Sequence, residues 1–511
     1  MTSRQRWGTR VGLILAMAGN AVGLGNFLRF PVQAASNGGG AFMIPYFISF
    51  LLLGIPLMWV EWTIGRYGGS RGHGSTPGMF QALWVHPIAK YLGVIGVVGP
   101  LLIVVYYSYV ESWTLAFSLF ALAGKFPHPP QTTEVAQVLA PYKTLFAEFI
   151  GAGSGMWMRP SLWAYLFFLI TLYINVWVLA RGISRGIEVL AKVAMPTLFL
   201  FAVLLAIRVL TLGHPVSPTY GPWEAMNFLW KPQLEKLGDW KIWLAAAGQI
   251  FFTLSVGMGA IHTYASYLNE KDDIALSGLA TAATNEFAEV VLGASIAIPA
   301  AVAFFGLAAA QEIARSGAFS LGFFSMPAAL SMMPLGRLFG FLWFGLLFFA
   351  GITSSVALSQ PAVAFLEDEL KWTRKRAAYT VGAFIFLSAH LPIFLNGALD
   401  ELDFWLGTFG IVLFALMETV IFVWIFGADR AFSEMLKGAD IQIPRFFYHV
   451  LKYVTPVMLI AIMMGWFATG WLDTIRKASP SIWITRVYIL LVVVLGLVLI
   501  RKAFARKNHG G

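Results

Sequence analysis

The 511-residue chain is 58% hydrophobic and only 12% charged, with a mean hydropathy of +0.73; soluble domains run near 45–50% apolar and about 25% charged. That balance excludes a soluble globular protein, and the absence of cysteine excludes a disulfide framework and thiolate chemistry. The formal charge of +10 reads as basic residues flanking membrane spans rather than as a nucleic-acid surface.

Apolar stretches long enough to cross a hydrocarbon core of ~30 Å, which takes about 20 helical residues, recur along the whole chain. The pattern predicts twelve spans, near 11–36, 40–69, 88–123, 161–180, 190–212, 242–268, 275–305, 337–368, 374–394, 399–425, 446–471 and 482–505. The short alternating segments of a membrane β-barrel are missing, so the expected fold is an all-α polytopic membrane protein. Residues 124–160, with "FPHPPQTTE", and 213–241, with "HPVSPTYGPW", read as polar loops, and 306–336 reads as partly helical. The basic start, with Arg4, Arg6 and Arg10, runs into a span too long for a cleavable leader. Basic residues gather in the N-terminal tail, in "KWTRKR" and from Arg501 to Lys507, while the turn between spans nine and ten has none. Both termini are therefore expected on the cytoplasmic face of the plasma (inner) membrane.

Two spans are interrupted near their middles. Span one carries "MAGNAVGLGNFLRF", with Gly19, Gly23 and Gly25 beside Asn20 and Asn26, and span six carries "TLSVGMGA", Thr253 to Ala260. They stand five spans apart, so spans 1–5 and 6–10 read as two repeats of opposite topology, and paired interruptions of this kind point to a binding site. A broken helix frees N–H groups on one side and carbonyls on the other, which a membrane tolerates only where protein, water or ligand satisfies them. Freed N–H groups at a helix start favour a carboxylate, and freed carbonyls with amides and hydroxyls suit a hard cation. An α-amino acid together with Na⁺ would answer both needs. The glycines alone could instead serve close helix packing, since Gly19 and Gly23 form a small-xxx-small pair; the two amides and the matching break in span six weigh against that reading. Span eight adds "AGITSS", Ala350 to Ser355, whose hydroxyls could bond back to their own helix or supply oxygens to a cation, and Asn285 in span seven is a further embedded amide. "GGSRG", Gly68 to Gly72, matches G-x-S-x-G, but it follows a membrane helix rather than a strand, so no hydrolase is inferred.

"NAVGLGNFLRFP", "YVESWTL", "GQIFFTLSVGMGAIHTYASY", "FFAGITSS" and "LDELDFW" resemble the neurotransmitter:sodium symporter family, in order, from Arg4 to the last span. The resemblance implies a LeuT-like fold of twelve transmembrane helices, with two inverted five-helix repeats (about 11–212 and 242–425), broken helices 1 and 6, and two further helices over about 446–505. It implies a substrate site at the two breaks, around Asn20. The substrate carboxylate would meet the N–H groups of Leu24 and Gly25 and the Tyr107 hydroxyl; the ammonium would meet carbonyls of Ala21, Phe252 and Thr253 and the Ser255 hydroxyl. Ile103, Tyr107, Phe252, Met258, Ser354 and Leu358 would line the side-chain pocket. One Na⁺ would be held by Ala21, Asn26, Thr253 and Asn285, and a second by Gly19, Val22, Ala350, Thr353 and Ser354. A carboxylate shared between substrate and ion would make their affinities reciprocally linked.

The family's outer gate would be Arg29 with Asp403, lidded by Tyr107 and Phe252, with Phe319 and Asp400 in the vestibule. The inner gate would be Arg4 with Asp368, supported by Trp7, Ser266, Tyr267 and Gln360. Glu289 would replace chloride by a carboxylate, which implies chloride independence, while Glu61, Glu111 and Glu418 read as embedded structural or proton-linked groups. Met258 and Leu358 stand where the family's bacterial leucine transporter has phenylalanine and isoleucine, so hydrophobic substrates extending to aromatic ones are expected. The expected function is Na⁺-coupled import of hydrophobic amino acids by alternating access, without covalent chemistry and without a nucleic-acid partner; homo-oligomer formation is left open. The rivals are a proton-coupled transporter of the same fold and a non-transporting amino acid receptor or a channel.

Overall fold

The computed structural model describes residues 5–130, 132, 134–477 and 479–509. Among them nine helical runs are long and apolar enough to cross a membrane, and the pair Arg10–Ala21 and Leu24–Ser36, bent by 44°, makes a tenth. One run, Leu162–Leu210, has 49 residues. At 1.5 Å per residue it would reach about 74 Å, more than twice a hydrocarbon core. It turns back at Gly182, whose φ of +83° is open to glycine at little cost, and so supplies spans four (Leu162–Gly182) and five (Glu188–Leu210). Span six is a second interrupted element, Trp240–Leu254 followed by Ala260–Ala265. This arrangement is consistent with twelve crossings.

The remaining spans fall close to their expected places: Gly40–Gly69, Ala89–Leu122, Ala275–Phe305, Gly336–Asp368, Arg374–Phe394, Ala398–Ile425, Phe446–Trp466 and Pro480–Ala505. Two expected loops are not wholly loops. Val135–Ile150 is helical and buries Val138, Tyr142, Phe146 and Phe149, and Pro222–Trp230 is a short helix begun by proline at its first position. Their apolar positions recur at helical spacing, a signal that the prolines and polar residues around them obscured. The 306–336 stretch is partly helical, as read, through Leu307–Arg315 and Met326–Ser331.

Span eight packs along span three, span five and the first half of span one. Those contacts bring the hydroxyl run of span eight against the break in span one. The periphery is apolar: Val457, Leu490, Leu491 and Val494 are more than half exposed. A continuous apolar exterior of this kind suits acyl chains and not water.

Candidate functional site

The break in span one follows from its residues. The first helix ends at Ala21, Val22 and Gly23 leave the helical conformation, and a new helix starts at Leu24. Two orphaned groups find side chains: the Gly23 N–H donates to Asn26 Oδ1 at 2.9 Å, and the Leu24 N–H to Tyr107 Oη at 3.2 Å. Glycine is required here by proximity. A Cβ on Gly23 would lie 3.0 Å from Ser354 Oγ, and one on Gly25 would lie 2.6 Å from the Phe252 ring. In span six Ser255 takes φ +54°, and Gly257 and Gly259 each take φ +76°. Left-handed backbone at a non-glycine residue costs roughly 1–2 kcal/mol; at Ser255 the hydroxyl donates to Asn20 O at 2.9 Å and ties the two breaks together.

Between the breaks lies a small cavity of about 30 Å³. Its walls include Ala21, Leu24, Gly25, Ile103, Tyr107, Phe252, Ser255, Met258, Ser354 and Leu358, together with Tyr106 and Gly407. One end carries the N-terminus of the second helix of span one, where N–H groups point inward and the helix dipole is positive. The opposite wall is apolar. Asn20, expected at this site, is buried but does not line the cavity; its backbone carbonyl rather than its amide faces span six.

Oxygen atoms converge at two places beside this cavity. At the first, Asn26 Nδ2 lies 2.8 Å from Asn285 Oδ1 and 3.2 Å from Thr253 Oγ1. With that amide orientation Asn285 Oδ1 stands 3.1 Å from Ala21 O and 3.2 Å from Thr253 O; rotated by 180°, the amide nitrogen would donate to both carbonyls. In the rotated orientation the Asn285 oxygen accepts from Thr253 Oγ1 at 3.0 Å. The Ala21 and Thr253 carbonyls, the Thr253 hydroxyl and the two amide oxygens are the donor types that suit a hard cation. At the second place, Ser354 Oγ lies 3.3 Å from Gly19 O and 3.1 Å from Ala350 O, and Thr353 Oγ1 lies 3.2 Å from Ala350 O. Thr353 also donates to Phe349 O at 2.9 Å, so the back-bonding considered for these hydroxyls is present alongside the cross-helix approach. Val22 sits at the end of its helix with its N–H on Ala18 O.

Glu289 is fully buried on span seven, where backbone hydrogen bonds shift from i→i+4 to i→i+5 over Phe287–Gly293, a distortion frequent at functional sites. It accepts from Gln249 Nε2 at 2.7 Å and from Asn26 Nδ2 at 3.2 Å, which places a carboxylate one residue from the first oxygen cluster. Glu111 accepts from Asn175 at 3.2 Å, and Asn175 in turn accepts from Ser355 at 2.7 Å.

Above Phe252 and Tyr107 opens a second, larger space of about 450 Å³ lined by Arg29, Phe319, Asp400 and Asp403. Arg29 and Asp403 share it without a direct ion pair. The Arg29 guanidinium lies over the Phe252 ring, 4.2 Å from its centroid, and Asp403 accepts from Tyr106 Oη at 2.7 Å. Sequence reasoning passed over Tyr106, although it adjoins Tyr107. On the opposite side the way is packed shut. Trp7 Nε1 donates to Tyr264 O at 3.0 Å, Gln360 Nε2 to Tyr267 Oη at 2.8 Å, and Arg374 to Gln360 Oε1 at 2.7 Å. Asp368 ends span eight there, beside Glu367, which pairs with Arg374 at 3.0 Å; Arg4 lies outside the described residues. Arg374, from "KWTRKR", was read as a topology signal only.

The family model of the sodium:neurotransmitter symporters matches residues 4–137 and 161–505. An uncharacterized sodium-dependent transporter of Methanocaldococcus jannaschii is 30% identical over 471 residues, covering 90% of each chain. An uncharacterized sodium-dependent transporter of Bacillus subtilis, YhdH, is 30% identical over 477 residues, covering 90% of this chain and 97% of that one. Among solved structures, MhsT in complex with L-phenylalanine superposes with a TM-score of 0.76 at 28% identity, over 90% of this chain and 99% of the other.

Proposed function

Because the chain belongs to the sodium:neurotransmitter symporter family, a family of membrane transporters and not of enzymes, we propose that it couples Na⁺ entry to import of a hydrophobic amino acid by alternating access. The observation that carries this reading is the cavity between two broken spans, with helix N–H groups at one end, oxygen clusters beside it and an apolar far wall. A zwitterion with an apolar side chain and a small hard cation match that donor set. In this reading the substrate carboxylate meets Leu24, Gly25 and Tyr107, and also completes the Na⁺ shell of Ala21, Asn26, Thr253 and Asn285. A second Na⁺ is held by Gly19, Val22, Ala350, Thr353 and Ser354. Each ligand then raises the affinity of the other by the same factor.

Substrate size follows from the far wall. Met258 is flexible and can yield to a ring, and the neighbouring structure MhsT carries L-phenylalanine, which supports a range extending to aromatic side chains. Access alternates between two barriers: the Tyr107–Phe252 lid below the Arg29–Asp403 vestibule, and the packed side at Trp7, Tyr264, Tyr267, Gln360, Arg374 and Asp368. Spans 1–5 and 6–10 act as the two inverted repeats, with both termini in the cytoplasm. Glu289 supplies a carboxylate in the place of chloride, so transport does not need that anion. The proton-coupled rival lacks support in span five, whose Lys192 pairs with Glu188 at 2.7 Å at the helix start, away from the hydroxyls of span eight.

The test is uptake of labelled leucine, methionine, tyrosine and tryptophan into proteoliposomes under Na⁺, K⁺ or proton gradients. Accumulation should require the Na⁺ gradient, and accumulation in its absence rejects the mechanism.

A further inference from the structure

Glu61 on span two, His262 on the second half of span six and Glu418 on span ten meet in the interior, all fully buried. His262 Nδ1 lies 3.2 Å from Glu61 Oε2, and Nε2 lies 3.2 Å from Glu418 Oε2. Beyond these close approaches, neither ring nitrogen, nor Glu61 Oε2, nor either Glu418 oxygen has a hydrogen-bond partner among the described residues. The other Glu61 oxygen accepts the N–H of Gly257, in the unwound part of span six. The transport reading uses none of these three groups.

We propose that Glu61, His262 and Glu418 form a proton-binding site, loaded and emptied from the cytoplasm, that clamps the second half of span six to spans two and ten. The inference rests on the alternating-access reading only in assigning that half of span six to the inner barrier. The geometry favours a proton over a metal ion. One ligand atom from each residue lies within 4.8 Å of the others. The two ring nitrogens, however, each address a different carboxylate at 3.2 Å, a pattern that two N–H donors match and a single ion at one nitrogen does not. One proton in each N···O gap links both ring nitrogens to a carboxylate oxygen, Glu61 Oε2 on one side and Glu418 Oε2 on the other. Two gap protons leave one net negative charge, and the Gly257 N–H of the unwound segment donates to the Glu61 carboxylate that shares it. Loss of a proton would leave two negative charges in a dry interior, which is tolerated only once water enters. Proton release to cytoplasmic water and outward movement of this helix therefore favour each other.

Among the described residues no other charge on the surrounding elements pairs with the ring. Arg66 on span two is spent on carbonyls of Asp272, Glu434 and Lys437. Arg10 on span one pairs with Asp273 and Asp440. On span eight, Glu367 pairs with Arg374, Glu369 beyond its end pairs with His73, and Asp368 ends the helix at the inner barrier. Tyr264 and Tyr267 on span six itself face Trp7 and Gln360, and Phe414 on span ten meets the imidazole with an aromatic edge contact.

The chain has no cysteine, so a single Thr263→Cys reporter can be read without background; Thr263 is buried in the same half-helix and its hydroxyl has no partner. Alkylation from the cytoplasmic side is followed between about pH 5 and 8, where histidine changes charge, in the otherwise native background and with H262Q or E418Q added. The expected result is slow labelling at low pH that rises several-fold with pH beyond the thiol's own titration, with the excess lost in both variants. An unchanged excess in the variants overturns the proposal. So does one equivalent of Zn²⁺ retained by the purified protein and lost in H262Q, because the cluster is then a metal site. The readout needs no transported substrate, so failure of the uptake experiment leaves this test intact.

Discussion

Gly25 shows how little room the site leaves. A methyl group there would stand 2.6 Å from the Phe252 ring, and overpacking of this kind typically costs about 1–3 kcal/mol. Gly25→Ala should hold the lid away from the second helix of span one and weaken Na⁺-dependent amino acid binding by about tenfold or more, as measured by scintillation proximity. Met258 acts at the other wall. Met258→Phe replaces an adaptable chain by a rigid ring and should shift competition profiles toward smaller side chains; an unchanged profile would remove Met258 from the pocket. Both positions were legible in the sequence because glycine and methionine stood at places the family resemblance marks. Tyr106 and His262 were not, since their roles depend on partners 297 and more than 150 residues away in the chain.

The broken elements carry the next scale. Asn26 holds the break of span one through Gly23 and reaches span six through Thr253 and span seven through Asn285 and Glu289. Removing it leaves a buried N–H without a partner, a cost of about 1–3 kcal/mol, and also removes a donor shared by three spans. Asn26→Leu and Asn285→Leu should each abolish Na⁺-dependent binding; retention of binding at ordinary Na⁺ concentrations would take these residues out of the site. Span twelve is anchored by Arg486, which pairs with Glu401 and reaches carbonyls of Ile475 and Thr474. Arg486→Met leaves the buried Glu401 carboxylate with the Trp405 indole N–H at 2.7 Å but no cation, and the loss should approach about 3–5 kcal/mol, visible as a lowered Tm in detergent.

For the whole molecule, a ligand that binds only the folded state stabilises it by mass action, about 2.7 kcal/mol at a hundredfold excess over Kd. Na⁺ should therefore raise Tm relative to K⁺, and a preferred amino acid should add a further rise in Na⁺ but not in K⁺. Equal shifts in both salts would break the link between the two ligands that a shared carboxylate requires.

Composition, span positions and the two glycine-polar interruptions were readable from the sequence alone, because a lipid solvent imposes length and polarity rules that act locally along the chain. The helices at 135–150 and 222–230 escaped that reading, since outside the bilayer no such rule applies. Only the tertiary structure decided what each embedded polar group faces. It set Arg29 over Phe252 instead of on Asp403, turned Asn20 by its carbonyl, and gathered Glu61, His262 and Glu418 from three spans. Hydrogen bonds and ion pairs are short-ranged and directional, so partners distant in sequence are fixed only when the spans pack.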